Sequence, residues 1–204
     1  ANLFGMGGAP LCSIERGRGD IKEAEAIMGN SFSMMVISGV LLTVLCLIFR
    51  KPMLYLFGAS DATYPYADAY ITIYLLGSLF VMVGLGMNSF INSQGFGRIG
   101  MMTVLLGAAA NILLDPIFIF GLHMGVRGAA LATIISQACS CIWVVSFLFG
   151  KKTFLKIQRK NMKLEARIIL PSLALGLATF IMQASESVIS VCFNSSLLKY
   201  GGDI

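Results

Sequence analysis

The chain has 204 residues, of which 57% are hydrophobic and only 12% charged, with a formal net charge of +5 and a mean hydropathy of +0.83. A soluble domain carries about a quarter charged residues, so this composition excludes a water-soluble globule and the soluble enzymes with it. The surplus Lys and Arg sit in short connections with no aromatic interleaving, a pattern of membrane topology and not of nucleic-acid binding.

Six apolar segments follow one another. The first, 1–14, is too short to span and reads as the tail of a helix; the chain, which opens on Ala1 inside an apolar run, is expected to be a piece of a longer protein. The others are 27–49, 68–93, 99–120, 128–150 and 168–192. Three stretches are wholly free of Asp, Glu, Lys and Arg: 26–49, 69–97 and 128–150. About 20 apolar residues cross a bilayer, so five spans are expected. Gly, Pro and charges mark the connections 15–26, 50–67, 94–98, 121–127 and 151–167. In the first of these, Arg18-Gly19-Asp20 is read as a helix start, with Asp20 and Glu23 as its capping residues.

Connections alternate sides. The first, third and fifth hold 11 Lys or Arg; the second, the fourth and the C-terminal tail hold 4. The positive-inside rule puts 15–26, 94–98 and 151–167 in the cytoplasm. The stretch 151–167 has seven basic residues and one acid, Glu165. It reads first as a linker between two helical bundles and second as an attractor of anionic lipid headgroups. The five cysteines give no disulfide framework. Cys139-x-Cys141 lacks a partner pair, so no metal site is expected, and His123, alone in an outer loop, is expected to be solvated.

Polar residues recur on single helical faces inside the spans: Gly77, Gly84, Asn88 and Asn92; Gly100, Thr103, Gly107, Asn111 and Asp115; Ala129, Thr133, Ser136 and Ser140; Gly176, Thr179, Gln183, Glu186/Ser187, Ser190 and Asn194. Small residues on such faces serve helix packing. Asp115 does not. A carboxylate at the centre of a span costs at least ~2.5–3.5 kcal/mol, and its own helix offers no Lys or Arg. Pro116 leaves the carbonyl of Ile112 without a donor and tends to kink the helix. Asp115, the freed carbonyl and Asn111 make an oxygen-rich spot for Na⁺ or for a proton, and Thr133 falls at a similar depth. Glu186, on the Gln183 face, either titrates or binds a cationic substrate, or else reaches a wet cavity.

These residues resemble the multidrug and toxic compound extrusion (MATE) family, in its bacterial DinF/MepA-like branch. The resemblance is carried by Asn111-Ile-Leu-Leu-Asp115-Pro116-Ile-Phe-Ile-Phe120-Gly121 and Gly125-Val-Arg-Gly128-Ala-Ala-Leu-Ala-Thr133. Gly17-Arg-Gly-Asp20, Asn92-Ser-Gln94-Gly95-Phe-Gly97 and the stretch from Pro171 through Gln183 to Asp203 support it. It implies an all-α polytopic membrane bundle, most of one six-helix lobe of a two-lobe transporter. On this match 1–150 is the N-terminal lobe from the end of helix 2 to helix 6, 151–167 the cytoplasmic interlobe linker, and 168–204 the first helix of the second lobe. The family's N-lobe cation site maps onto Asn88, Asn111, Asp115 and Thr133, with a further acid on a helix 1 outside the chain. Thr179 stands near the place where many relatives carry a helix 7 glutamate, so Glu186 takes no role from the resemblance.

The implied function is an antiporter of the inner membrane, coupled to H⁺ or Na⁺, that exports amphipathic, often cationic drugs and works as a monomer. It has no enzyme cofactor and no nucleic-acid partner. The alternative is a lipid-linked sugar flippase of the same superfamily, which calls for cavity cations to hold a pyrophosphate; the apolar spans carry none. A membrane enzyme needs a nucleophile–base pair or metal cluster that the spans do not offer.

Overall fold

The computed structural model describes residues 1–57, 59–150 and 153–201, the side chains of 159–160 and 197–201 excepted. Lys151, Lys152 and 202–204 therefore lie outside the described residues, as do the side chains of Arg159, Lys160, Lys199 and Tyr200. Among the described residues seven α-helices run in order: α1 (Asn2–Gly17), α2 (Ile21–Ile48), α3 (Arg50–Leu56), α4 (Tyr64–Ser93), α5 (Gly97–Pro116), α6 (Val126–Phe149) and α7 (Ala166–Gly201). Among the described residues five stretches are long and apolar enough to cross a membrane: Ile21–Ile48, Tyr64–Ser93, Gly97–Gly121, Val126–Phe149 and Ala166–Ser196. This is an all-α polytopic bundle, with no strand among the described residues.

The helices are longer than the apolar runs that announce them. The connection expected over 15–26 shrinks to 18–20, because α1 continues through Glu15 and Arg16 and α2 begins at Ile21. Charged residues are good helix formers and simply occupy the wet ends of the rods. Gly19, at φ +86°, makes the turn, and Asp20 then caps α2 by accepting from the Glu23 N–H at 3.0 Å. The stretch 50–67, expected as a loop, contains α3. Pro52 reads as a breaker there, yet it occupies the first turn, where its missing N–H leaves nothing unsatisfied. At the far end of α5 the α-helix holds through Pro116 and then widens into a π-helical turn, Ile117–Gly121.

Helix α4 is central. It packs most extensively on α6 and also meets α2, α1 and α5, while α1 lies along α7. Two crossings bring backbones together: Gly5 faces Gly86, and Gly7 and Gly176 bring α1 and α7 so close that a Cβ at either would strike the carbonyl of Ser172 or of Leu3. The buried core runs through Phe4, Met28, Met35, Met87, Phe90, Val144 and Leu148. Large apolar side chains left exposed, such as Ile37, Leu41, Val44, Leu105 and Ile112, are what a lipid-facing surface requires.

The segment between α6 and α7 is strapped onto the bundle. Thr153, Leu155 and Ile157 are buried while Phe154 and Lys156 are exposed, along a segment that bends at Phe154 and Leu155. The Thr153 hydroxyl and the Leu155 N–H lie 2.7 and 3.0 Å from Oε1 of buried Gln94, to which both donate. The Ile157 N–H reaches the last turn of α6 at Leu148 O, 3.3 Å away. Glu25 accepts from the Lys156 N–H and from Gln158 Nε2. Asn30 accepts from the Glu165 N–H at 2.8 Å, and the Ser33 hydroxyl donates to Met162 O at 2.9 Å. Gly29 lets the Asn161 carbonyl sit against α2, and Arg167 pairs with Glu23 at 3.0 Å.

Candidate functional site

Three of the polar stripes face one another. Gly84 and Asn88 from α4, Thr103, Gly107 and Asn111 from α5, and Thr133, Ser136, Gln137 and Ser140 from α6 line a groove of about 250 Å³. Small residues open it: a side chain at Gly107 would fill the space beside the Ser140 hydroxyl. Leu85, Val104 and Ala108 complete the wall. Of these, Gln137 escapes the stripe pattern. It lies between Thr133 and Ser140 on the same face, a spacing that would have identified it.

The chemistry of the groove follows from where its hydrogens go. A hydroxyl has one donor hydrogen and two lone pairs. Thr103 donates to Ile99 O, Thr133 to Ala129 O, Ser136 to Ala132 O and Ser140 to Thr103 O. The Asn88 amide donates to Gly100 O at 3.3 Å, and its buried Oδ1 has no hydrogen-bond partner. The Asn111 amide donates to Asp115 Oδ1 at 3.2 Å. The hydroxyl donors are thus turned onto the protein, and their oxygen lone pairs remain for a guest. Asn88 and Asn111 each keep a second amide N–H, and Gln137 adds its own amide.

The expected site residues fall into two ends and a satellite. Asn111 and Thr133 line the groove together, and Asp115 stands one turn beyond it on α5, tied in by Asn111. Asn88 lines the same groove at its other end. Its partner Gly100 precedes Asn111 by eleven residues, about 16 Å along α5, so Asn88 and Asp115 do not meet. Pro116 closes the α-helical part of α5 directly after the carboxylate. Gln183 lies elsewhere, on a largely apolar cavity of about 480 Å³ between α1, α2, α4 and α7, with Ser38, Met82 and Phe180. Glu186 is exposed and accepts from Gln183 Nε2 at 2.9 Å. His123 is exposed, at φ +51°. Among the described residues no group of three or more His, Cys, Asp or Glu could hold a metal ion.

The family model MatE matches residues 1–117. Multidrug export protein MepA of Staphylococcus haemolyticus is 30% identical over 200 residues, covering 98% of this chain and 44% of the relative. MepA of Staphylococcus aureus strain MRSA252 is 25% identical over the same shares. Among solved structures, an inward-facing MATE family transporter of the MOP superfamily superposes with a TM-score of 0.93 at 27% identity, covering 98% of this chain and 46% of that one. An outward-facing one gives 0.88 at 27% identity, covering 98% and 45%. The chain spans somewhat under half the length of these relatives. Its sequence match, its spans and its fold agree: the chain belongs to the MatE family of multi-pass membrane transporters.

Proposed function

We propose that this chain supplies most of the N-terminal lobe of a cation-coupled multidrug exporter. Residues 1–150 form the lobe, 151–167 the interlobe connection, and 168–204 the first helix of the second lobe. The observation that carries the reading is the Asn111–Asp115 pair, 3.2 Å apart, beside a groove of oxygen lone pairs within the spanning helices. Na⁺ or a proton is the guest such a site favours: a hard cation takes oxygen ligands, and a proton neutralises a carboxylate that hydrocarbon rejects.

The mechanism follows from linkage. A cation shifts the balance between two lobe arrangements only if it binds one of them more tightly. Neutralising Asp115 changes what its segment of α5, next to Pro116 and the π-helical turn, prefers as surroundings. Thr133 offers its lone pairs from α6. Asn88, at the far end, serves as a second acceptor along the groove. Drugs, amphipathic and often cationic, bind apart from the ion, with the cavity that Gln183 borders and the neighbouring Glu186 as candidates. Export is then driven by the ion moving inward, with the basic connections 15–26, 94–98 and 151–167 on the cytoplasmic side of the cell membrane. The reading includes no enzymatic step and no cofactor, and the full-length protein acts as a monomer. It is preferred to a lipid-linked sugar flippase because the residues that line the groove include no Lys or Arg to hold a pyrophosphate.

The test is Asp115→Asn in the full-length protein reconstituted into vesicles. Ion-driven drug efflux is expected to be lost while the protein remains folded; efflux at the wild-type rate would sink the proposal.

A further inference from the structure

We infer that the strap between α6 and α7, together with the start of α5, forms a docking surface for anionic phospholipid headgroups. The strap is held with Thr153, Leu155 and Ile157 inward, so Phe154 and Lys156 are fixed outward. Phe154 is 67% exposed. Its ring stacks on Phe96 with centroids 5.2 Å apart, and Phe96 meets Phe147 edge-on at the same spacing. An exposed phenyl ring at the end of a span suits burial at the boundary between headgroups and acyl chains.

Cations border this knot. Arg98, two residues after Phe96, and Lys156, two after Phe154, are both exposed. Neither belongs to an ion pair among the described residues, where the pairs are Arg18–Glu15, Arg50–Asp68 and Arg167–Glu23. Most acids at this end of the bundle are engaged: Glu15 and Glu23 hold arginines, Asp20 caps α2, and Glu25 holds the strap's own N–H groups, while Glu165 is exposed on the strap. Of the described basic side chains of 151–167, Arg167 is held by Glu23, while Lys156 and Lys163 are exposed and have no acidic partner among the described residues. Charge complementarity selects an anion, and the aromatic face beside it selects one carried on an acyl chain. The occupant is the phosphate of an anionic lipid, with Phe154 lying at the headgroup level.

The experiment measures lipid retained by the full-length protein in neutral detergent, using native mass spectrometry with phosphatidylglycerol or phosphatidylcholine added. The wild type is expected to retain the anionic lipid preferentially, and 0.5 M salt to abolish the preference. At roughly fivefold per surface cation, R98Q/K156Q is expected to lower the preference about thirtyfold. F154S is expected to reduce retention of both lipids at this site, and K51Q, at the other end of the spans, to leave the preference intact. Equal retention of the two lipids by the wild type overturns the inference, and this reading needs no variant to fold. So does a preference that survives in R98Q/K156Q. Displacement of the lipid by millimolar glycerol 3-phosphate overturns it as well, because the surface would then be a free-phosphate site.

Discussion

Asp115 and Gln94 illustrate what single residues do here. Asp115 accepts one hydrogen bond, from Asn111. A hydrogen bond to a charged group contributes ~1.5–3 kcal/mol, so Asn111→Leu is expected to shift the apparent affinity for the coupling ion about tenfold or more, upward for a proton, because the ionised carboxylate loses its donor, and downward for Na⁺, which loses the Asn111 oxygen; the ion dependence of efflux reads the shift. Wild-type ion dependence would separate Asn111 from the site. Gln94 acts through structure. Its Oε1 takes two donors from the strap, and both Thr153 and Leu155 are buried. Gln94→Leu leaves the Leu155 N–H without an acceptor, at about 1–3 kcal/mol, while the Thr153 hydroxyl turns to the Leu155 carbonyl 2.9 Å away. Thermal unfolding in detergent is expected to fall by several degrees, and tryptic cleavage at Lys156 to accelerate. Unchanged protease resistance would show that the strap holds without this residue.

Helices meet in this bundle where side chains are absent. At the crossing of α1 and α7, a Cβ on Gly176 would overlap the Leu3 carbonyl, and one on Gly7 the Ser172 carbonyl. Backbone is the obstacle, so no rotamer relieves it, and the two helices must separate. Gly176→Val is expected to lower the melting temperature sharply and the yield of monodisperse protein with it. Gly121→Ala is the control, because nothing lies within 4 Å of a Cβ there, and it is expected to behave as wild type. A well-folded Gly176→Val protein would refute the close crossing. The polar stripes are a different use of the same small residues. On α5 and α6 they leave room for a groove, and the hydroxyls beside them turn their hydrogens onto carbonyls four residues back or on the neighbouring helix.

At the scale of the whole molecule, the charge asymmetry is what the proposed orientation of the bundle rests on. In a background lacking the five native cysteines, a membrane-impermeant thiol reagent added outside cells is expected to label His123→Cys and to miss Lys163→Cys. The reverse pattern would invert the topology and, with it, the direction proposed for ion flow. The strap also ties one end of the bundle together: it joins α2, α4 and the end of α6 before α7 begins. The connection proposed to separate two lobes is thus largely an element of the first.

How much of this was legible beforehand depends on the kind of information each feature needs. Hydropathy is a property of one segment, so the five spans and their approximate centres could be read along the chain. Asp115 stood out by the same logic, since a carboxylate among apolar residues is anomalous wherever it points. Helix ends were less legible, because residues such as Glu15, Arg16 and Pro52 suit both a loop and a helix terminus at the water boundary. Other features depended on how helices rotate about their axes and on pairs distant in sequence. Only the packing of α4 on α6 decided that three stripes share one groove, that Asn88 and Asp115 occupy different ends of it, and that Gln137 belongs there. Only a contact between residues 59 apart, Gln94 and Thr153, turned a basic connection into a strap. Periodicity tells which residues share a face; which face meets which is settled by close packing and by the requirement that buried donors find acceptors.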